Sequence, residues 1–374
     1  MSKTMRLDLP KPRPDREMFR KIILRQTLPD RVHPVELHMD AEIMRYFAGQ
    51  FGQDWVAPES APDRKSQELV LKNYIECWHR LGYDYVRYSG GFRFSANLPF
   101  DTKGRQTGDT AGLSRGTRNW VEEGKGVISS WDDFEKYPWP SGDRVDFWPL
   151  EFAGRNLPEG MGILVCFSQG VFEVLVNQLL GLETLAYLSY DNPELVAAVA
   201  DRIGGLIYEG YRRILGLDNL LGFFQGDDLG YKTSTMVSPV FLRKYVLPWH
   251  KKFAQLAHEH NLLYILHSCG CLEPVMEDLI EDVRIDARHS FEDAVMPVAE
   301  FKRKYGGRIG VLGGVDVDKL CRFREPELRS YVREILDKCM PAGGYLLGSG
   351  NSVANYIPVE NYLIMLDEGN KWSG

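Results

Sequence analysis

The chain has no long run of basic charge, no bilayer-length apolar stretch, no low-complexity tract and no internal repeat beyond a strand–helix beat. Each absence removes a class of protein. Lys and Arg number 45 against 52 Asp and Glu, for a net charge of −7, and the two signs are mixed along the chain. A nucleic-acid surface needs a basic stripe, so no nucleic-acid partner is expected. No apolar run approaches the roughly 20 residues that span a bilayer, so no membrane partner is expected either. The first fifteen residues are polar and Pro-rich without an apolar core, unlike a signal peptide. Six cysteines are scattered at 77, 166, 269, 271, 321 and 339 of 374 residues. That is too sparse for a disulfide framework, and it points to a cytoplasmic protein with reduced thiols.

What is present is a recurrent pattern of short apolar runs, each closing on polar or Gly residues. Eight can be marked: Val35–His38, Tyr83–Tyr88, Gly162–Phe167, Leu221–Gln225, Leu262–Leu266, Arg284–His289, Arg308–Leu312 and Gly344–Leu347. Runs apolar on both faces suit strands covered on both sides. Helical stretches separate most of them. Pro193 to Ile214 has apolar residues at helical spacing, with Asp191 or Asn192 as cap and Pro193 at the first helical position. Ser238-Pro239 opens another helix, and Pro326 to Met340 reads as a third. An N-terminal extension over 16–32 carries one helix, Arg16 to Arg25. Eight strand–helix units make an α/β protein with a parallel sheet closed as a (β/α)8 barrel, with an open doubly wound sheet as the rival. The whole chain, 1–374, reads as one barrel domain.

Residues 90–160 interrupt the beat with a connection far longer than usual. The segment holds Arg93, Arg105, Arg115, Arg118, Trp120, Trp131 and Trp139, too aromatic for a disordered linker. It reads either as a lid over the barrel mouth or as a packing flap.

In a barrel, chemistry sits at the carboxyl ends of the strands. Those positions supply Glu36 and His38, Arg87, Gln169, Asp227 and Asp228, His267 and Cys269, His289, Asp316, Ser349 and Asn351. On an extended segment residues i and i+2 face one side, so His267 and Cys269 can offer an imidazole nitrogen and a thiolate to one metal ion. Of the adjacent pair Asp227-Asp228, one faces the pocket and the other caps the following helix. Glu36 and His38 share a face and suit a general acid/base pair. Arg87, Gln169, His289, Asp316, Ser349 and Asn351 fall to substrate binding. The Gly348-Ser349-Gly350-Asn351 turn suits an anion cradle of backbone N–H groups read by Asn351. No nucleotide fingerprint occurs in the right context.

The stretches Gly226-Asp227-Asp228-Leu229-Gly230, Ser238-Pro239, His267-Ser268-Cys269-Gly270, Gly313-Gly314-Val315-Asp316 and Gly348 to Asn351 appear in the order seen in the uroporphyrinogen decarboxylase superfamily. The likeness runs from about Arg16 to the C-terminus. The His-x-Cys-Gly element is similar to that of the corrinoid-dependent methyltransferases (methylcobamide:coenzyme M methyltransferase-like). The resemblance implies zinc held by His267 and Cys269, and methyl transfer from a corrinoid on a separate partner protein to a thiol or other small acceptor. Such methyltransferases carry a further cysteine near the end of strand eight, where this chain has Ser349. Completion of the ligand set falls to Glu36, His38, Asp227 or Asp228. A small-molecule substrate and a homodimer complete the expected partners. The rival activity is a metal-free carboxy-lyase acting on a tetrapyrrole or other polycarboxylate. Arg87 and the arginines of 90–160 would then hold carboxylates, and Asp227 or Asp228 would stabilise a protonated pyrrole-like intermediate. A non-catalytic binding protein on the same barrel is the third reading.

Overall fold

Seven of the eight apolar runs form strands of one parallel sheet in a computed structural model that describes residues 9–89, 104–121, 126–141 and 145–373. In chain order the strands are β1 (Tyr85–Ser89), β2 (Gly104–Gly108), β3 (Thr117–Val121), β4 (Gly162–Cys166), β5 (Leu220–Gly226), β6 (Leu263–His267), β7 (Ala287–His289), β8 (Gly310–Leu312) and β9 (Tyr345–Leu346). The large sheet runs β1-β4-β5-β6-β7-β8-β9, so each main-sheet strand pairs with the next one in sequence. β2 and β3 form a separate antiparallel hairpin. Strands buried on both faces need helices on the outside, and the connections supply them. The longest, Pro193–Arg213, is capped by Asn192, whose side chain accepts from the Leu195 N–H at 3.3 Å. Ser238 caps Pro239–Tyr245 in the same way, at 3.2 Å from the Phe241 N–H. The third helix expected runs Glu325–Cys339.

The run Val35–His38 is not a regular strand. It meets β9 and the chain beyond through isolated bridges, Pro34 to Leu347 and Met39 to Val353. Side chains from β1 take up backbone groups on its other flank. The Tyr85 hydroxyl bridges the N–H and C=O of Glu36, and Arg87 donates to the Leu37 carbonyl at 3.2 Å. With side chains holding these groups, no backbone ladder forms there. The architecture is therefore a curled, TIM-barrel-like sheet of seven strands with an irregular eighth segment.

The N-terminal helix is shorter than expected: it runs Arg16–Ile23 and packs Phe19, Ile22 and Ile23 beneath β8 and β9. Of the long connection, the described parts are the β2–β3 hairpin and the helices Trp131–Lys136 and Trp148–Asn156. The hairpin docks on chain that leaves the carboxyl ends of the strands. Arg115 pairs with Asp40 at 2.5 Å and Glu42 at 3.1 Å, and Asn355 donates to Asp109 and to the Leu113 carbonyl. Arg93 and the side chains of Arg105, Arg118 and Trp120 lie outside the described residues. Among the described residues no single helix is long and apolar enough to cross a membrane.

Candidate metal centre

The site follows from the register of two neighbouring strands. β5 and β6 pair with Gly226 opposite His267, so the chain leaves both strands side by side. Two residues further on, the Cys269 N–H donates to Asp228 Oδ1 at 2.8 Å. Asp228 Oδ1 then lies 3.6 Å from His267 Nε2, and Cys269 Sγ lies 3.5 Å from the same nitrogen. One ligand atom from each of Asp228, His267 and Cys269 falls within 4.8 Å of the others. A tetrahedral zinc ion, with about 2.0–2.1 Å to nitrogen and about 2.3 Å to sulfur, separates those two donors by about 3.6 Å. The N, O and S donors fit such an ion.

The surroundings suit the same use. His267 Nδ1 and His289 Nδ1 are 2.8 Å apart, a contact that needs one proton between them. With that proton on His267 Nδ1, Nε2 presents its lone pair toward Asp228 and Cys269. Burial depresses both imidazoles, His289 to about 3 and His267 well below its ordinary value, so both rings are neutral. Burial, with Asp228 beside it, pushes the Cys269 thiol up, and burial also raises the Asp228 carboxyl. Burial outweighs the donors that favour the anionic forms of these two groups; a divalent cation would add to those donors. Two neutral donors also face the sulfur. Asn351 Nδ2 is 3.2 Å from Sγ and Ser290 Oγ is 3.4 Å away. Ser290 reaches it from a backbone with φ of 93°, a conformation rarely adopted outside Gly.

Glu173 is the member that sequence reasoning missed. It lies within the short helix Val171–Val174, beyond the end of β4. Its carboxyl group borders the space over Gly226, together with the His267 ring. Burial, then the charges of Asp228 and Asp227, raise its pKa well above the ordinary range. Gln169 donates to it at 3.2 Å and is itself held by Gln178.

Other expected site residues are placed elsewhere. Asp227 is fully buried and accepts from the Phe172 and Glu173 N–H groups at 3.1 and 2.8 Å and from His250 Nε2 at 2.8 Å. It caps a helix, though the one after β4 and not the one that follows it in the chain. Glu36 does not pair with His38. Its carboxyl group binds the Ser349 N–H at 2.7 Å and Oγ at 2.5 Å in a fully buried setting, while His38 Nε2 lies 3.8 Å from Asp40. Arg87 spends its guanidinium on the Phe224 and Leu37 carbonyls and stacks 5.0 Å from the Phe224 ring. It is not turned to a substrate carboxylate. Asp316 caps the helix Val317–Arg322 and accepts from the Asp293 N–H. The Gly348–Asn351 turn is not an anion cradle. The Ser349 N–H goes to Glu36 and the Gly350 N–H to the Val315 carbonyl. A Cβ on Gly348 would fall 1.8 Å from the Val35 carbonyl oxygen, so that glycine serves close packing.

The uroporphyrinogen decarboxylase (URO-D) family profile matches residues 164–372, more than half of the chain, and the chain belongs to that family. Among solved structures, a methyltransferase from Methanosarcina mazei is similar at 14% identity, covering 96% of this chain and 99% of the other, with a TM-score of 0.68. A putative vitamin-B12 independent methionine synthase from Listeria monocytogenes shares 14% identity over 93% of this chain and 98% of its own, at a TM-score of 0.49. A B12-independent methionine synthase from Shewanella sp. W3-18-1 shares 12% over 82% and 87%, at 0.48. A search of curated proteins found no match.

Proposed function

We propose that this protein catalyses methyl transfer, with Asp228, His267 and Cys269 holding a zinc ion and a separate corrinoid protein delivering the methyl group to a small acceptor. The observation that carries the reading is the convergence of those three side chains, whose ligand atoms lie within 4.8 Å of one another. The family membership and the methyltransferase among the similar folds agree with it. Three protein ligands leave one position open, the pattern of a catalytic site as opposed to a structural one. The ion, when bound, supplies Lewis acidity that favours the anionic form of an acceptor thiol.

The protein's residues perform the rest. His289 fixes the ring of His267 and hence the direction of Nε2. Asn351 and Ser290 donate to the Cys269 sulfur and hold charge there. Glu173, whose carboxyl group borders the same space as the His267 ring and whose pKa is raised by burial, could give or take a proton there, and Gln169 orients it. We take the segment 34–39 as the eighth stave of a closed barrel, with the β2–β3 hairpin as part of a lid. A cytoplasmic setting agrees with six free thiols. A homodimer is compatible with this scheme.

Metal analysis after zinc supplementation tests the reading. About one zinc per chain is expected, falling at least tenfold in Cys269→Ala and Asp228→Asn. Wild-type protein that stays metal-free, or that holds the same metal without Cys269, refutes it. Demethylation of methylcobalamin in the presence of thiols supplies the activity readout.

A further inference from the structure

A hydrogen-bonded chain of three buried polar side chains runs to the candidate centre from the helical layer outside the sheet. Tyr264 lies on β6 three residues before His267, and His250 lies on the helix Leu247–Glu259. Both are fully buried, as is Asp227. The Tyr264 hydroxyl is 2.6 Å from His250 Nδ1, and His250 Nε2 is 2.8 Å from Asp227 Oδ2. Burial, with Asp227 adding to it, pushes the Tyr264 phenol up, so the hydroxyl keeps its proton and donates. The ring proton of His250 then sits on Nε2 and goes to Asp227.

Asp227 joins that chain to the centre. Its N–H donates to the His267 carbonyl at 2.9 Å, and its side chain accepts from the Phe172 and Glu173 N–H groups. It is also the residue before Asp228. One residue thus ties together the backbone of His267, the chain entering Asp228 and the helix that carries Glu173. Such a chain is a weak source of stability, since a buried carboxyl–imidazole pair is often no more stabilising than apolar side chains of the same volume. What it supplies is direction, because a fully satisfied buried network fits one placement of its members.

From this arrangement we infer that His250 and Tyr264 are positioning residues for the Asp228–His267–Cys269 centre, acting through Asp227 from outside the sheet. The inference rests on the metal reading proposed above. Loss of the His250 donor leaves Asp227 free to turn, and Asp228 and Glu173 move with it, while His267 and Cys269 stay on their own strand. The 3.6 Å separation of Asp228 Oδ1 from His267 Nε2 is then the first to change.

Cobalt(II) tests this, because it takes the same donors as zinc and its visible absorption reports coordination geometry. His250→Phe removes the donor to Asp227, whereas His250→Gln keeps a side-chain N–H to offer it. His250→Phe should bind cobalt about tenfold or more weakly than the wild type, with an altered visible spectrum, as expected of groups that hold a metal ligand in place. His250→Gln should restore the wild-type spectrum and most of the affinity. Wild-type affinity and spectrum in His250→Phe, or equal impairment of the two variants, overturns the inference, since His250 would then supply packing alone. If His250→Phe does not fold, Tyr264→Phe decides, because it removes a single hydroxyl. Several-fold weaker binding with an altered spectrum supports the inference, and wild-type behaviour overturns it. If the wild type takes up no metal, alkylation of Cys269 by iodoacetamide is followed by peptide mass spectrometry, since the Cys269 N–H is bonded to Asp228. A several-fold change of rate in His250→Phe that His250→Gln reverses upholds the positioning role although the metal reading has failed. An unchanged rate, or a change that His250→Gln does not reverse, overturns it.

Discussion

Replacing Glu36 by Gln should stabilise the protein at alkaline pH and leave it nearly unchanged at pH 5. The carboxyl group is fully buried near Tyr83, Tyr85, Tyr345 and Tyr362 and has Ser349 as its hydrogen-bonding partner. Burial raises its pKa from 4.5 to about 8, even though both bonds from Ser349 pull the other way. In the unfolded chain the group ionises near 4.5, while the folded protein keeps its proton to about 8. Across that window the native state binds more protons than the unfolded one, so stability falls as pH rises, and the dependence ends on either side. At about 1.4 kcal/mol per tenfold change in ionisation, the loss between pH 5 and 8 is on the order of 3–5 kcal/mol. An amide at 36 can accept from the Ser349 N–H and donate to its Oγ with no charge to bury. Urea unfolding of both proteins from pH 5 to pH 8 measures the effect. Midpoints within about 1 kcal/mol at pH 5 and diverging by about 3–5 kcal/mol at pH 8 are expected. Parallel pH profiles would refute the argument, because they would mean that Glu36 folds as an anion or that water reaches it.

Three further outcomes follow from the placements described. Asp227→Ala leaves the Phe172 and Glu173 N–H groups and buried His250 without an acceptor; a loss of about 3–5 kcal/mol is expected in thermal or urea unfolding. Gly170→Ala puts a Cβ 2.1 Å from the carboxyl carbon of Asp227, so it should cost about 1–3 kcal/mol and reduce activity by displacing Glu173, as measured by denaturation alongside the methyl-transfer assay. Arg115→Ala removes the pairs to Asp40 and Glu42 that dock the hairpin; limited proteolysis within 104–121 should quicken while the melting temperature hardly moves, since such partly exposed pairs are worth about 0–1 kcal/mol each.

How much of this was legible in the sequence depended on where each element's partners lie. β4, β5 and β6 were readable because continuous apolar residues suffice for a strand covered on both faces. The helices after Asn192 and Ser238 were readable because a cap acts within three residues. Val35–His38 looked like a strand and was not, because the groups that satisfy its backbone are the side chains of Tyr85 and Arg87, some fifty residues away. The same distance hides the use of Arg87, whose charge suggested a substrate and whose donors go to carbonyls. Pairing of Glu36 with Ser349 spans 313 positions and could not be inferred from either neighbourhood. Glu173 was invisible for a different reason: it is a helical residue whose interest lies in what β5 brings next to it.

The candidate metal centre depends less on barrel closure than strand-end reasoning suggests. Its three donors come from two adjacent strands. Once β5 and β6 are parallel and Gly226 pairs with His267, Asp228 and Cys269 leave the sheet together, and the bond from the Cys269 N–H to Asp228 locks them. An open doubly wound sheet with the same neighbours would bring the same three side chains to one point. What curling adds is reach around the mouth. It brings Asn351, from beyond β9, to the sulfur of Cys269, 82 positions earlier in the chain. Asn351→Ala therefore separates the two contributions. If the register of β5 and β6 is sufficient for the centre, zinc should still bind, with the Cys269 thiolate less well held. If zinc is lost along with Asn351, the centre depends on the curled sheet as a whole and not on one strand pair.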